Sequence, residues 1–299
     1  MDEAVLSENQ DSVSLPAWCL DVLASPETNE PIDLEQLKRR AHSRSAAFHV
    51  DRNLIYMANY AREDLQKHDA KWKETTLSPS QQKRRTLQPS QAYFRRLLAR
   101  FTSSLPRRSV VVDIASNVAE FFHLYKHCRY LAMDLSVWAL SEAIANHRIG
   151  FGVIADVRKP PLKPGSIDAI VSTNTLFHVP DPERIPAALN LLRFVKPGGA
   201  AVLTMPIPMW RKMQLELPPI WIVERQVPFS GFCSDLWNRS VRRVTDRIVT
   251  LTSSDAVAGG YVRVHDELAL RAQALAAEVA WLAPAAFRDV FVTLRRDRR

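Results

Sequence analysis

The chain has 299 residues, 46% of them hydrophobic and 24% charged, with a formal net charge of +8. This composition is that of a globular protein with a sizeable core, and because it holds neither a run of about 18 apolar residues nor a basic and then apolar N-terminus, we expect no membrane span and no secretory signal. The cysteines Cys19, Cys128 and Cys233 lie far apart without metal-ligand spacing, which disfavours a disulfide scaffold or a zinc site and favours a cytoplasmic location.

Glycine and basic residues are unevenly distributed along the chain. Only 8 glycines are present and the first is Gly150, so the first half contains no P-loop and no standard dinucleotide-binding loop. Residues 1–37 carry acidic side chains and no Lys or Arg, whereas residues 38–108 carry a large surplus of Lys and Arg. That stretch could steer an anionic substrate or RNA to the protein, but a solvated helical surface is the simpler explanation.

The first hundred residues predict a tail, a small module and a linker. Residues 1–14 are polar and are expected to be a disordered tail. Residues 15–62 predict a small α+β accessory module, and residues 63–105 predict a helical linker. The linker ends in a helix that opens at Pro89 and stops before Pro106, and its apolar side chains recur at helical spacing: Tyr93, Leu97, Leu98 and Phe101.

The main domain is predicted to span residues 106–299, and its first half alternates strands with helices. The predicted strands are residues 109–114, 130–133, 151–155, 167–172 and 200–205. The predicted helices are residues 118–126, 137–146 and 182–194. This alternation is typical of a doubly wound, mostly parallel α/β sheet.

The second half of that domain is less regular. Residues 206–258 predict a lid or substrate wall whose apolar side chains could line a pocket for an aromatic or otherwise apolar ligand, although core packing explains them equally well: Met209, Met213, Trp210, Trp221, Phe229, Phe232 and Trp237. Further on, residues 266–276 predict a helix, and residues 279–283 and 290–294 predict an antiparallel hairpin.

An aspartate ends each of the first three predicted strands: Asp113, Asp134 and Asp156. A doubly wound sheet binds its ligand at the carboxyl ends of its strands, and an acid about 20 residues beyond the first strand is placed to accept hydrogen bonds from ribose hydroxyls. The third carboxylate could accept from the exocyclic amine of adenine. Any one of these residues could simply cap the following helix, but three in succession favour a nucleoside site.

Five segments between residues 109 and 205 form an ordered set of motifs: VVDIASNVA at 111–119, LAMDLS at 131–136, IADV at 154–157 with SIDAIVS at 166–172, FHVPDP at 177–182 and VKPGG at 195–199. With these motifs, residues 109–205 resemble the core of the class I S-adenosylmethionine-dependent methyltransferases. The resemblance implies a seven-stranded sheet of order 3-2-1-4-5-7-6 and S-adenosyl-L-methionine as the cofactor.

The resemblance also implies roles for individual residues. Asp113 and the loop 115–119 would face the methionine part of the cofactor, Asp134 its ribose and Asp156 its adenine, while His178 would lie at the substrate side as a candidate general base or in a structural role. The cofactor-binding residues implied are Asp113, Ala115, Ser116, Asn117, Asp134, Leu135, Asp156, Val157, Asn174 and Thr175.

The chain departs from the family pattern at the loop, where three glycines correspond to Ala115, Asn117 and Ala119. Glycine takes positive φ freely and lets a ligand approach the backbone, whereas alanine adds a methyl group and costs about 1 kcal/mol in that conformation. We expect cofactor binding to be retained. A methyltransferase-fold pseudoenzyme, scaffold or non-methylating catalyst is the alternative.

Residues 20–32 (LDVLASPETNEPI) and 48–55 (FHVDRNLI) resemble the opening and the closing parts of Trm112-like small domains. The zinc cysteines of that family correspond here to Ser25 and Thr28, which are poor zinc ligands, so we expect no metal and a packing or partner-binding role. A local helix and turn without that ancestry is the alternative.

The sequence therefore predicts an S-adenosylmethionine-dependent methyltransferase that acts on a small molecule, most simply at oxygen or nitrogen. An RNA methyltransferase is a further alternative, favoured by the basic residues 38–108 and the Trm112-like segment. No membrane partner is expected.

Overall fold

A computed structural model describes residues 3–5, 14–26, 28–32, 49–51, 53–57, 65–66, 69–70, 73, 89–228 and 289–298. The predicted helix at 266–276 and the predicted strand at 279–283 lie outside these residues, as do Phe229, Phe232 and Trp237. Within the described part of the chain, no helix is both long enough and apolar enough to cross a membrane.

The described elements fall into an N-terminal group up to Ser103 and a second group from Val110 onward. The N-terminal group comprises β1 (Glu3–Val5), β2 (Ser14–Pro16), α1 (Ala17–Val22), β3 (His49–Asp51), β4 (Leu54–Tyr56) and α2 (Pro89–Ser103). The second group comprises β5 (Val110–Ile114), β6 (Arg129–Asp134), α3 (Val137–Ala145), β7 (Gly152–Ile154), β8 (Ile167–Ser172), α4 (Asp181–Leu192), β9 (Val195–Pro206), α5 (Ile207–Glu216), β10 (Trp221–Pro228) and β11 (Asp289–Arg296). Two short 3₁₀-helices lie at Phe122–Tyr125 and Leu176–His178.

The described strands other than β1 and β2 form one nine-stranded sheet of order β10-β11-β9-β8-β5-β6-β7-β4-β3. The predicted α/β class is confirmed, and β5 to β11 follow the predicted order 3-2-1-4-5-7-6. The predicted count of seven is wrong, because the hairpin of β3 and β4 adds two strands beyond β7, with β4 parallel to it. β5 lies near the middle of the sheet and is buried along its whole length, since Val111 and Val112 pack into apolar clusters on opposite faces.

The N-terminal residues pack into the same core as the sheet. Cys19, Leu23 and Ile55 are fully buried in the main cluster with β5 and β6. The backbone N–H of Ala24 donates to the Pro161 carbonyl at 3.0 Å, and residues 14–32 thus contact the loop that follows β7.

Three predicted elements are corrected by the structure. Residues 118–126 form turns and a 3₁₀-helix instead of an α-helix, because Ala119 has φ +50° and interrupts the helical path. β11 has β9 on one side and β10 on the other, so no edge remains for the predicted hairpin with residues 279–283. Residues 207–228, expected to be irregular, form α5 and β10.

The sequence left open whether the apolar side chains of residues 206–258 line a pocket or pack in the core, and the structure settles this for α5 and β10. Their buried side chains belong to the core and do not line the cleft described below: Met209, Trp210, Met213 and Trp221.

Gly199, near the start of β9, allows a test of the fold. A Cβ atom on Gly199 would lie 2.6 Å from the Asp168 carbonyl oxygen and 2.6 Å from Val195 Cγ1. Gly199→Ala should therefore lower the free energy of unfolding by about 1–3 kcal/mol, measured by urea denaturation. Gly150→Ala is the control, because a Cβ there meets nothing within 4 Å; equal effects in both variants would contradict the packing assigned to Gly199.

Candidate functional site

A cleft of about 660 Å³ lies at the carboxyl ends of β5 to β8. The residues that line it lie at the carboxyl ends of these four strands or follow them. All eleven residues predicted from the sequence to bind cofactor or to act in catalysis are among them: Asp113, Ala115, Ser116, Asn117, Asp134, Leu135, Asp156, Val157, Asn174, Thr175 and His178.

The loop after β5 has the backbone conformation that normally calls for glycine. Ala115, Asn117 and Ala119 have φ values of +56°, +50° and +50°. Asn tolerates this left-handed region best among non-glycine residues, while each alanine costs about 1–2 kcal/mol there. Non-glycine residues thus adopt the backbone conformation of a glycine loop, and other contacts must offset the conformational strain.

Hydrogen bonds from three directions offset that strain. The Asn117 N–H donates to Asp134 Oδ2 at 2.7 Å, and the Ser116 N–H donates to the Met133 carbonyl at 3.0 Å. The Arg148 guanidinium donates to the Val118 carbonyl at 2.9 Å, which replaces the helical partner that this carbonyl lacks. Arg148 lines the cleft, and nothing in the sequence indicated it because its partner lies 30 residues away.

Asp134 joins this loop to the start of α3. Its Oδ2 accepts from the Asn117 N–H and its Oδ1 accepts from the Ser136 N–H at 2.8 Å. A carboxylate oxygen can accept more than one hydrogen bond, so these two backbone contacts alone do not exclude a ribose hydroxyl. Asp134 is 8% exposed, and its carboxylate holds the loop after β5 against the start of α3.

Asp113 is a buried acid on the floor of the cleft. Burial raises the pKa of its carboxyl to about 7, a hydrogen bond from the Tyr130 hydroxyl at 2.7 Å opposes the rise, and the nearby Asp134 adds to it. The Tyr130 ring in turn stacks on Tyr125, with 4.8 Å between the ring centroids. Asp113 therefore changes charge near neutral pH.

Asp156 is held in an ion-pair network. Arg158 donates to its carboxylate from the backbone N–H at 2.8 Å and from Nη2 at 2.6 Å, and Arg158 Nη1 reaches Glu183 at 2.9 Å. The Arg158 guanidinium thus largely compensates the charge of Asp156.

The loop after β8 is tied to both neighbouring strands. The Asn174 N–H donates to Thr204 Oγ1 at 2.7 Å, and Asn174 itself has φ +55°. The Thr175 hydroxyl lies 3.1 Å from the Thr173 carbonyl and 3.3 Å from the Ile114 carbonyl. Thr175 therefore holds the loop onto β5, while Asn174 lines the cleft.

His178 lies at the exposed rim of the cleft. Its ring packs on Phe177 with 4.1 Å between centroids, and Phe177 is 40% exposed. Arg184 fixes this rim by donating to the Phe177 carbonyl at 3.0 Å and to the Val179 carbonyl at 2.7 Å. An aromatic surface and an imidazole thus face solvent at the mouth of the cleft.

Two observations indicate that the cleft fits a polar ligand such as the implied cofactor. Ser116 Oγ is buried in the cleft wall and has no hydrogen-bond partner among the described residues, and a buried hydroxyl in that state favours a ligand that satisfies it. Asp113 and Asp134 add negative charge beside it, which suits a sulfonium cation.

Asp69 supports the cleft from outside the predicted domain. Ser136 Oγ donates to Asp69 Oδ1 at 2.7 Å, and the Trp138 N–H donates to Asp69 Oδ2 at 3.2 Å. The sequence carried no signal for this contact, because the partners lie 67 and 69 residues apart.

Residues 101–203 match a protein family described as "Methyltransferase domain". Among curated proteins, tRNA (carboxymethyluridine(34)-5-O)-methyltransferase ALKBH8 from Macaca fascicularis is 28% identical over 107 residues, and that from Mus musculus is 27% identical over 107 residues. Each alignment covers 36% of this chain and only 16% of the relative. Among solved structures, phosphoethanolamine N-methyltransferase 2 from Haemonchus contortus, in complex with S-adenosyl-L-methionine, matches with a TM-score of 0.46 at 12% identity and covers 69% of this chain and 52% of its own.

The family match begins in α2 and ends in β9, so it includes the loop after β5 and the residues that line the cleft. Residues 101–203 are therefore a methyltransferase domain, and the predicted enzyme class and the predicted cofactor, S-adenosyl-L-methionine, are confirmed for this domain.

Proposed function

We propose that the chain transfers a methyl group from S-adenosylmethionine to an oxygen or nitrogen of a small molecule. The observation that carries the proposal is the convergence of Asp113, Asp134 and the left-handed loop 115–119 on one cleft. The cofactor, when bound, supplies an electrophilic methyl group on a sulfonium. The chain supplies the negative charge and the hydrogen bonds that would orient it.

Different cleft residues would bind different parts of the cofactor. Asp113 and Ser116 would bind the amino-acid part, Asp134 and Leu135 the ribose, and Asp156 with Val157 the adenine. Arg158 forms an ion pair with the Asp156 carboxylate, so the adenine amine and Arg158 would both donate hydrogen bonds to that carboxylate. Asn174 lines the cleft and would orient the methyl donor or the acceptor.

A small acceptor fits the size and the rim of the cleft. Cofactor and acceptor must share about 660 Å³, within the range of a pocket for small molecules. His178 at the rim could remove a proton from an oxygen or nitrogen acceptor, and the Phe177 ring beside it offers a stacking surface. These features support an acceptor with an aromatic or apolar part.

A fold that no longer transfers methyl groups is the first alternative. Ala115 lines the cleft where the family has glycine, and its additional methyl group would narrow the path for the amino-acid part of the cofactor. Because the loop keeps the φ values that glycine would take, we favour retained binding.

Methylation of RNA is the second alternative, supported by the tRNA methyltransferases similar to this chain and by a basic edge of the sheet. We define the basic edge as Arg107, Arg108, Lys126 and Arg129, all exposed. Two backbone hydrogen bonds join the turns that carry them, Arg108 N–H to His127 O at 2.7 Å and Arg129 N–H to Ser109 O at 2.9 Å. The edge lies one strand length from the cleft, about 17 Å for a five-residue strand, which is why the small acceptor remains our first proposal.

Three further assignments are proposals. The division into a tail (1–14), a Trm112-like module without zinc (15–62), a linker (63–105) and a methyltransferase domain (106–299) rests on sequence patterns. Residues 207–228 form α5 and β10, so the lid proposed for residues 206–258 is confined to the residues after 228. The cytoplasmic location rests on the cysteine pattern.

Isothermal titration calorimetry with S-adenosylmethionine and S-adenosylhomocysteine tests cofactor binding. Asp134→Ala should weaken binding by about 1–3 kcal/mol, since it strands hydrogen-bonding groups of the ligand and of the loop. Glu142→Ala, exposed on the same helix α3, should leave affinity unchanged. The absence of detectable binding to the unaltered protein at millimolar cofactor would overturn the proposed function.

The raised pKa of Asp113 predicts a pH dependence of affinity. Above its pKa of about 7 the carboxyl is negative, and it then attracts the cationic cofactor. If only that form binds, affinity for S-adenosylmethionine should rise up to about tenfold from pH 6 to pH 8, following the ionised fraction. Asp113→Asn should remove the dependence; the same pH profile in both proteins would exclude Asp113 as its source.

Fluorescence anisotropy with a single-stranded RNA oligomer distinguishes the RNA alternative. If RNA binds at the basic edge, affinity should fall steeply with salt, and the double variant Arg107→Gln/Arg108→Gln should reduce the slope of log K against log salt by about 0.7 per lost phosphate contact. The matched control is Arg211→Gln/Lys212→Gln, exposed on α5. Binding that ignores salt, or that the control variant weakens equally, would count against this alternative.

A further inference from the structure

Asp69 lies outside the matched methyltransferase domain and nevertheless contacts the wall of the cleft. Its carboxylate accepts from Ser136 Oγ at 2.7 Å and from the Trp138 N–H at 3.2 Å. Ser136 is buried, and its Oγ also accepts from the Ala139 N–H at 3.1 Å as the N-cap of α3. Asp69 therefore fixes the orientation of the hydroxyl that begins this helix.

A continuous series of hydrogen bonds runs from Asp69 to the loop after β5. The Ser136 N–H donates to Asp134 Oδ1, and the Asn117 N–H donates to Asp134 Oδ2. Ser136, Asp134 and Asn117 all line the cleft, whereas Asp69 does not. A change at Asp69 thus reaches the cleft through Ser136 without direct contact with a ligand.

Leu65, on the N-terminal side of Asp69, makes apolar contacts that do not involve the cleft. Leu65 is 7% exposed and packs with Ala132, Leu140 and Ile154 on the face of the sheet next to α3. Leu65 and Asp69 are both helical and four residues apart, and Leu65 packs in the core whereas Asp69 contacts the start of α3. The two side chains have separable tasks.

We propose that Asp69 is a positioning residue for the nucleoside side of the cleft, so that ligand affinity depends on a segment outside the methyltransferase domain. This inference rests on the proposed function for the identity of the ligand. Its structural part, the fixing of Ser136 and of the Asp134 wall, does not. Loss of the Asp69 carboxylate frees the Ser136 hydroxyl and leaves the Trp138 N–H without its acceptor.

Two measurements on the full chain test the inference. Asp69→Ala should weaken the binding of S-adenosylhomocysteine about three- to tenfold by calorimetry, the range of one lost hydrogen bond. It should also speed hydrogen exchange at the amides of Asn117, Ser136 and Trp138. Asp69→Asn, which keeps one acceptor oxygen, should lie between Asp69→Ala and the unaltered protein in both measurements.

Leu65→Ala is the control that separates positioning from stability. It removes buried apolar contacts and should lower the melting temperature at least as much as Asp69→Ala, but ligand affinity well below that temperature should be unchanged. Lys73→Ala, exposed on the same segment, should change neither quantity. Equal losses of affinity in Leu65→Ala and Asp69→Ala, or unchanged affinity and exchange in Asp69→Ala, would overturn the inference.

Failure of the proposed function would give a different result. In that case the unaltered protein would not bind S-adenosylhomocysteine, while the exchange at Asn117, Ser136 and Trp138 would still respond to Asp69→Ala and not to Leu65→Ala. Slow and equal exchange in all variants would instead remove the positioning role itself.

Discussion

The carboxylate of Asp134 makes the interaction on which the cleft depends. It accepts one backbone N–H from the loop after β5 and another from the start of α3, and a hydrogen bond to a charged group contributes about 1.5–3 kcal/mol. The loop contains two alanines in the left-handed region, each at a cost of about 1–2 kcal/mol. The two contributions are of the same size, so a loop without glycine can keep a glycine-like backbone as long as this carboxylate is in place.

The same balance explains why the site could be predicted and one helix could not. The β-branched run 110–112 and the aspartates near the carboxyl ends of β5 and β6 are local signals, and the carboxyl ends of parallel strands converge, so the eleven predicted residues line one cleft. The helix predicted at 118–126 has suitable composition, but the left-handed residue Ala119 ends any helical path at its first turn. Backbone strain that distant residues support leaves no pattern in the local sequence.

Long-range pairings were likewise hidden. β10 and β11 pair across a separation of some 60 residues, and β10 stood within a stretch that looked irregular because its partner was elsewhere. Arg148 contacts the loop after β5 over 30 residues, and Asp69 contacts the start of α3 over 67 and 69 residues. Periodicity detects which face of an element is buried, but it does not detect which distant side chain completes a cap or satisfies a carbonyl.

The N-terminal residues are bound to the domain by several independent kinds of contact. β7 has only three residues and begins with Gly152, so by itself it would be a weak edge strand. β4 pairs with all three residues of β7. The Gly152 N–H also donates to the Asn53 carbonyl at 3.0 Å. An exposed strand edge invites pairing with other chains, and the hairpin of β3 and β4 covers this one. Asp156 and Val157 follow β7 closely and line the cleft. The hairpin of β3 and β4, which pairs with β7, therefore also helps to position these two residues. The methyltransferase domain and the residues before it therefore share one sheet, one core and one cleft wall.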